Sequence, residues 1–229
     1  MKTPKLFVAL DGMEWQAATN LAWSLTGVAY GFKLNDLIAE SGVAAAGPHF
    51  GRYGRFFADL KAHDIPNTVY NIVKRAVAAG AYVVTVHASG GKAMMQAAVD
   101  ARKGADCLIA AVTALTSLDD QDCVTVYAGD RAQTFSRLAS LAKEAGVDAI
   151  VCSAGELPLV PDGMKTIVPG IRLGQGDLGD QKAVSRAVPD CDFIVVGRPI
   201  TQAKDPFASA QKIIEAIREK EGGVPSQAG

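Results

Sequence analysis

The chain has 229 residues, which is enough for one large α/β domain or two small ones with a sizeable core. Its 23 Lys+Arg nearly balance its 24 Asp+Glu, so the net charge of −1 provides no basic field for nucleic-acid binding and no acidic tail. No run of about 18 apolar residues occurs, and the apolar run near the N-terminus is short, so we expect neither a membrane span nor a signal peptide.

The four cysteines are widely spaced, and no two form a CxxC pair. They are Cys107, Cys123, Cys152 and Cys191. Three of them lie in or beside apolar runs, where cysteine usually packs as a small reduced hydrophobic side chain. This usage predicts a cytoplasmic protein without disulfides and without a zinc site.

Eight short runs rich in apolar, β-branched or aromatic residues follow one another along the chain. They cover residues 6–10, 27–34, 55–61, 82–88, 107–113, 149–154, 165–171 and 193–199. Helical patterns lie between most of these runs, as at 66–80, 91–104 and 130–146, and each closes on Gly, a common helix stop. Continuously apolar strands are typical of a parallel sheet that is covered on both faces.

Eight strand–helix units without a dividing linker predict a single-domain (β/α)₈ TIM barrel over residues 1–220. A doubly wound open sheet is the alternative arrangement of the same elements. Residues 221–229 are expected to form a flexible tail.

Charged residues occur at the ends of the predicted second and third strands. In a barrel the chemistry is expected at these carboxyl ends. On an extended strand Asp59 and Lys61 point to the same side, and Leu60 points away. Lys33 ends the neighbouring strand, and Asp64 follows on the next loop. A structural ion-pair network would explain such charges, but burying several of them is costly, so their convergence favours a functional cluster.

The segment DLKAHDIPNT at 59–68 resembles the DxKxxDIPxT signature of the orotidine 5'-phosphate decarboxylase family. Further patches agree with that family in order along the chain: ALD at 9–11, FKL at 32–34, LTS at 115–117, VPGIR at 168–172, GDQ at 179–181 and VGRPIT at 196–201. The resemblance implies decarboxylation of orotidine 5'-phosphate to UMP and CO₂ without a cofactor or metal.

The resemblance also implies roles for individual residues. Lys33, Asp59, Lys61 and Asp64 would form a charged catalytic array in which Lys61 is the proton donor. Asp64, Ile65 and Thr68 would complete the site of a neighbouring subunit, which makes a homodimer the expected assembly.

The implied ligand contacts are distributed over the strand ends. Asp11 would bind a ribose hydroxyl, Thr116 the pyrimidine and Pro169 the base, while phosphate and base contacts fall on Arg172, Gln181, Gly197 and Arg198. Barrel phosphate sites commonly form after strands 7 and 8, which independently favours this side for the phosphate. The Gly-rich stretch 172–181 would be a closing lid.

Two features depart from the family pattern. KAV follows Gln181 where an Arg is expected, so Arg186 is the candidate for that contact. The interval between Gln181 and Gly197 is also short, so the sequence does not establish that a helix forms before strand 8.

Other functions on the same barrel have weaker support. The magnesium-dependent sugar-phosphate decarboxylases and aldolases share DxKxxD but need a further carboxylate ligand, and the cation of Lys33 would disfavour the metal. A barrel that only binds a nucleotide would not be expected to retain all four charged positions. The GxGxxG at 174–179 lacks the acidic residue expected at the end of the next strand, so a nicotinamide site is disfavoured.

Overall fold

The computed structural model describes residues 2–173 and 185–222, with side chains described through residue 220. The strands are β1 Lys5–Ala9, β2 Gly31–Leu34, β3 Arg55–Ala62, β4 Ala81–His87, β5 Leu108–Val112, β6 Ala149–Val151, β7 Lys165–Pro169 and β8 Phe193–Val196. The helices are α1 Trp15–Ser24, α2 Asp36–Ser41, α3 Val43–Phe50, α4 Pro66–Ala78, α5 Lys92–Ala101, α6 Asp120–Tyr127, α7 Arg131–Glu144, α8 Arg198–Thr201 and α9 Pro206–Gly222.

Within the described ranges the strands pair in sequence order, all parallel, and β8 closes on β1. The prediction of a (β/α)₈ barrel is therefore confirmed, and the open-sheet alternative is wrong. Among the helices of the described part, none is both long and apolar enough to cross a membrane. Helix α9 continues to Gly222, and the rest of the expected tail lies outside the described residues.

Two apolar layers hold the barrel together. One lies between the strands and the surrounding helices, and the other fills the barrel interior. Inside, the ring of Phe7 packs edge-on against Phe57 at 5.3 Å, and the small residues Ala110 and Ala149 belong to the same cluster. Complete burial of a side chain such as Phe7 stabilises the fold by roughly 1.5–3 kcal/mol. This packed interior forms the floor on which the strand ends carry polar groups.

Strand β2 is shorter than the predicted run at 27–34, because the chain turns at Gly27, whose φ is +78°. Its first residue, Gly31, allows a close approach to β3. A Cβ atom there would lie 2.1 Å from the carbonyl oxygen of Arg55, so no other residue fits without displacing backbone. This approach sets the register in which Lys33 lies beside Phe57 of β3.

His49 connects α3 to α1 through one ring nitrogen and to the turn after α3 through the other. Its Nε2 lies 2.8 Å from Thr19 Oγ1, and Arg52 Nη2 lies 2.9 Å from Nδ1. Because a guanidinium only donates, Nδ1 must accept, which places the ring proton on Nε2. Burial, together with the charge of Arg52, lowers the pKa of His49.

We predict that the free energy of unfolding decreases as the pH falls from 7 to about 5.5, since the unfolded His49 binds a proton more readily than the folded one. His49→Gln should show a smaller decrease, and urea unfolding at several pH values measures both. An equal pH dependence in the two proteins would contradict this role for His49.

Candidate active site

The described residues enclose a cavity of about 540 Å³ at the carboxyl ends of the barrel strands. Its floor is apolar and is formed largely by inward-facing strand residues: Ala9, Phe57, Val112, Val151, Ile167 and Val195. Its polar lining comes from the strand ends and the loops that follow: Asp11, Lys33, Asp59, Lys61, Thr85, Thr116, Arg172, Arg198, Thr201 and Gln202. A polar rim above an apolar floor is the usual form of a small-molecule site.

Asp59 is the centre of the charged cluster. Its Oδ2 accepts from Lys33 Nζ at 2.9 Å and from Lys61 Nζ at 2.7 Å. Lys33 Nζ also donates to Asp11 Oδ2 at 2.5 Å. Two carboxylates and two ammonium groups thus alternate across the strand ends, and their charges sum to zero.

The electrostatics of this cluster are dominated by burial and by the partner charges. Burial by itself would raise the pKa of Asp59, but the nearby Lys33 and Lys61 ammoniums lower it to about 2. Burial likewise opposes the charge of Lys33, yet Asp59 and Asp11 raise the pKa of Lys33 above its usual value. Both groups are therefore ionised at neutral pH.

The backbone of β3 departs from regular pairing where it delivers Lys61. Ala58 pairs with Val84 and Ala62 pairs with Val86, so extra β3 residues bulge between the two pairs. Lys61 itself has a φ of 47°, in the left-handed region that non-glycine residues seldom occupy. Asp59 and Lys61 both line the cavity, as strand alternation predicts, but Lys61 lies there on a bulge and not on a regular strand.

Asp64, Ile65 and Thr68 do not line the cavity of their own chain. Asp64 is exposed, and its Oδ1 accepts from the backbone N–H of Ile65 at 2.6 Å. Ile65 is 68% exposed, an unusual position for a large aliphatic side chain. The single chain therefore brings together Lys33, Asp59 and Lys61, and leaves Asp64 at the surface.

The remaining predicted ligand contacts lie mainly on the β7–β8 side. Pro169, Arg172, Gly197 and Arg198 line the cavity there, and Arg172 is buried. Thr116 lines it from the loop after β5.

Three further predictions concern the stretch before β8. Gln181 and most of the proposed lid at 172–181 fall outside the described residues, as does the GxGxxG at 174–179. Arg186, the candidate for the missing arginine contact, is exposed and does not line the cavity. Within 185–192 the chain forms bends and a bridge between Ser185 and Ile171, without a helix.

Sequence reasoning missed several polar groups that organise the site. Thr85 Oγ1 donates to Asp59 Oδ1 at 2.8 Å, and Asn35 Nδ2 donates to the carbonyl oxygen of Asp59 at 2.6 Å. The inward alternation of β4 could have indicated Thr85, since residues 83, 85 and 87 share one face.

A third missed residue, Arg131, lies in no motif. Its Nη1 donates to the carbonyl oxygens of Leu115 and Leu118 at 3.1 and 2.8 Å, which ties down the loop that carries Thr116. Its Nη2 also lies 2.9 Å from Glu156 Oε1, so the same guanidinium joins this loop to the segment after β6.

His87 at the end of β4 does not line the cavity. Its ring lies 5.5 Å from that of His63. Burial lowers the pKa of His87, and the neighbouring His63 and Lys61 lower it further. These contacts favour a structural role for a neutral His87.

We predict that Asp59→Asn lowers the free energy of unfolding by about 3 kcal/mol, because it leaves the buried Lys33 ammonium with one carboxylate fewer. Asp106→Asn is the matched control, since Asp106 forms an exposed ion pair with Arg55 and should cost less than about 1 kcal/mol. Urea unfolding at pH 7 measures both, and equal costs would contradict the central role of Asp59.

The chain is similar to known proteins over most of its length. A sequence model of the Orotidine 5'-phosphate decarboxylase / HUMPS family matches residues 4–213. The orotidine 5'-phosphate decarboxylase of Idiomarina loihiensis is 40% identical over 231 residues, covering 96% of this chain and 100% of that protein. The enzyme of the same name from Novosphingobium aromaticivorans is 41% identical over 219 residues, covering 91% and 96%.

Solved structures agree with these relatives. The crystal structure of orotidine 5'-phosphate decarboxylase from Lactobacillus acidophilus matches with a TM-score of 0.77 and 32% identity, covering 93% of this chain and 99% of that one. The corresponding protein from Pyrococcus horikoshii has a TM-score of 0.72 and 26% identity, with the same coverage. The resemblance drawn from the sequence is confirmed: this chain belongs to the orotidine 5'-phosphate decarboxylase / HUMPS family.

Proposed function

We propose that this chain converts orotidine 5'-phosphate to UMP and CO₂ without a cofactor. In this proposal the charged array stabilises a carbanion at C6 of the pyrimidine, and Lys61 protonates it. The observation that carries the proposal is the pairing of Asp59 with both Lys33 and Lys61 inside the cavity at the barrel mouth. The names of the relatives at about 40% identity support the same reaction.

The reaction needs electrostatic stabilisation. When the bond between C6 and the carboxylate breaks, CO₂ leaves and the electron pair stays on C6 in an sp² orbital outside the ring π system. No conjugated group can accept that pair, so a fixed positive charge must stabilise it. A proton from the Lys61 ammonium then forms the new C6–H bond, and solvent returns a proton to the amine.

Lys61 is suited to this step because it combines a fixed position with access to the cavity. Its Nζ is held by Asp59 at 2.7 Å, while its side chain remains 36% exposed. An ammonium that is already oriented does not have to reorganise as negative charge develops.

The contribution of Asp59 follows from its own partners. Two like charges at about 4 Å repel by roughly 4 kcal/mol at an effective dielectric of 20, so a bare carboxylate would strain the substrate's own carboxylate. Here the Asp59 carboxylate accepts from two ammonium groups, which offset that repulsion. The arrangement therefore favours stabilisation of the carbanion over stress on the bound substrate.

Substrate binding is proposed for the groups around the array. Arg172 and Arg198 on the β7–β8 side carry guanidiniums that suit a phosphate dianion. Thr116 and Pro169 would contact the pyrimidine, and Asp11 would contact a ribose hydroxyl. Binding the phosphate far from C6 supplies energy that can order the reacting groups.

We propose that the complete site is shared between two subunits of a homodimer. Asp64, Ile65 and Thr68 lie together on the β3–α4 segment, outside their own cavity. The 68% exposure of Ile65 supports its burial against a second copy. With Asp64 from a neighbouring subunit, the array would gain a second anion near the Lys61 ammonium.

The magnesium-dependent alternative has less support from the site chemistry. Lys33 Nζ lies between the Asp11 and Asp59 carboxylates, where a divalent cation would otherwise find its oxygen ligands. A bound cation would meet the charge of Lys33 directly. A barrel that merely binds nucleotides would not require ammonium groups held at this distance from one carboxylate.

We predict that protein treated with EDTA and freed of chelator converts orotidine 5'-phosphate to UMP at an undiminished rate. The loss of absorbance as the orotate ring is decarboxylated measures turnover, and a parallel sample with restored Mg²⁺ is the control. A rate that collapses on chelation and returns with Mg²⁺ would favour the magnesium-dependent enzymes.

We predict that Lys61→Ala and Asp64→Ala proteins, each nearly inactive alone, recover activity when mixed and allowed to exchange subunits. In a two-fold dimer half of the mixed population is hybrid, and each hybrid has one intact site, so about a quarter of wild-type activity should return.

The matched control for this experiment mixes Lys61→Ala with Asp59→Ala. Asp59 and Lys61 come from the same strand of one chain, so these hybrids contain no intact site and should stay inactive. Native mass spectrometry confirms subunit exchange. Exchanged mixtures of Lys61→Ala and Asp64→Ala that remain inactive would refute the shared site.

A further inference from the structure

The hydroxyl of Thr85 connects the two residues at the centre of the array. Thr85 Oγ1 donates to Asp59 Oδ1 at 2.8 Å, and it accepts from the backbone N–H of Lys61 at 2.9 Å. Thr85 is 1% exposed and lies on the inner face of β4. The directions are unambiguous, because an ionised carboxylate only accepts and an amide N–H only donates.

The bond to Lys61 compensates for the irregular backbone of β3. The register shift between Ala58 and Ala62 takes the Lys61 amide out of the regular pairing with β4. A backbone N–H without an acceptor is costly in a protein interior, and the left-handed conformation of Lys61 adds strain. Thr85 provides the acceptor at this position.

The bond to Asp59 fixes the orientation of its carboxylate. Oδ2 of Asp59 accepts from both ammonium groups, so a rotation of the carboxylate would displace Lys33 and Lys61 together. Thr85 holds the other oxygen, Oδ1, and Asn35 holds the backbone carbonyl of the same residue. The Thr85 hydroxyl thus fixes the position of the Lys61 backbone. It also fixes the orientation of the Asp59 carboxylate that holds the Lys61 ammonium.

We propose that Thr85 is a positioning residue for proton delivery by Lys61, an inference that rests on the proposed function. It acts through Asp59 and Lys61. Loss of its hydroxyl should therefore slow the chemical step and leave substrate binding nearly unchanged, since the groups proposed to bind phosphate lie on the opposite, β7–β8 side of the cavity.

Thr85→Val keeps the shape of the side chain and removes the hydroxyl. We expect kcat for orotidine 5'-phosphate to fall by about 10- to 100-fold, since a displacement on the order of 1 Å can cost about 100-fold. We expect KM to stay within about twofold of wild type, because binding contacts outside the array are retained. Thr85→Ser retains the hydroxyl and should recover most of kcat.

Thr113 provides the matched control. It is a fully buried threonine just after β5, and its Oγ1 has no hydrogen-bond partner among the described residues. Thr113→Val should therefore leave kcat unchanged. Thermal unfolding of all variants separates a loss of folding from a loss of positioning.

A second measurement is independent of turnover. Amide hydrogen exchange, followed by NMR, should show faster exchange of the Lys61 N–H in Thr85→Val than in wild type or Thr113→Val. If the valine variant does not fold, Thr85→Ala replaces it, and we again expect a lower kcat and a faster exchange of the Lys61 N–H.

The possible outcomes distinguish a failure of the proposed decarboxylase activity from a failure of the positioning role of Thr85. Wild-type protein that does not decarboxylate orotidine 5'-phosphate would refute the proposed function, and the exchange measurement would still test the link through Thr85. An active wild type with full kcat in the folded valine or alanine variant, or a serine variant as slow as the valine one, would refute the role of Thr85.

Discussion

The site depends on one buried carboxylate that is shared by two ammonium groups. Asp59 can remain ionised in the barrel only because Lys33 and Lys61 compensate the cost of its desolvation. Lys33 is buried as well, and Asp59 and Asp11 more than offset the effect of burial, so that the pKa of Lys33 lies above its usual value. Each charged group of the cluster is thus stabilised by a neighbour of opposite charge. The removal of one leaves another uncompensated, so the cluster is a single electrostatic unit and not a set of independent pairs.

The barrel makes such a unit possible by separating its packing from its polar groups. Aromatic and small residues fill the interior around Phe7 and Phe57, so the strands are held rigidly below the cavity. The charged groups of the array lie at the strand ends, where they line the cavity. An apolar floor also lowers the local dielectric constant, which strengthens the electrostatic interactions of the charged groups above it. The polar groups of the cavity therefore lie where parallel-barrel enzymes generally carry their active sites.

The sequence predicted best those features that depend on neighbouring residues along the chain, such as apolar runs and the alternation of side chains on a strand. Continuously apolar runs marked all eight strands, because a parallel sheet buried on both faces needs them. Alternation along β3 placed Asp59 and Lys61 on one face. The same reasoning did not reach Asn35, Arg131 or Thr85, since their roles depend on which loop or strand lies next to them in space. It also did not anticipate the bulge, because a left-handed lysine has no sequence signature of its own.

The amino-acid sequence by itself determined the barrel, the family and the identity of the charged residues, because these follow from apolar periodicity and from a contiguous motif. Only the tertiary structure decided that Lys33 bridges Asp11 and Asp59, and that Thr85 joins Asp59 to the Lys61 backbone. Those contacts connect residues that lie more than twenty positions apart. Their distances are set by strand register and by the β3 bulge, which arise only when the barrel closes.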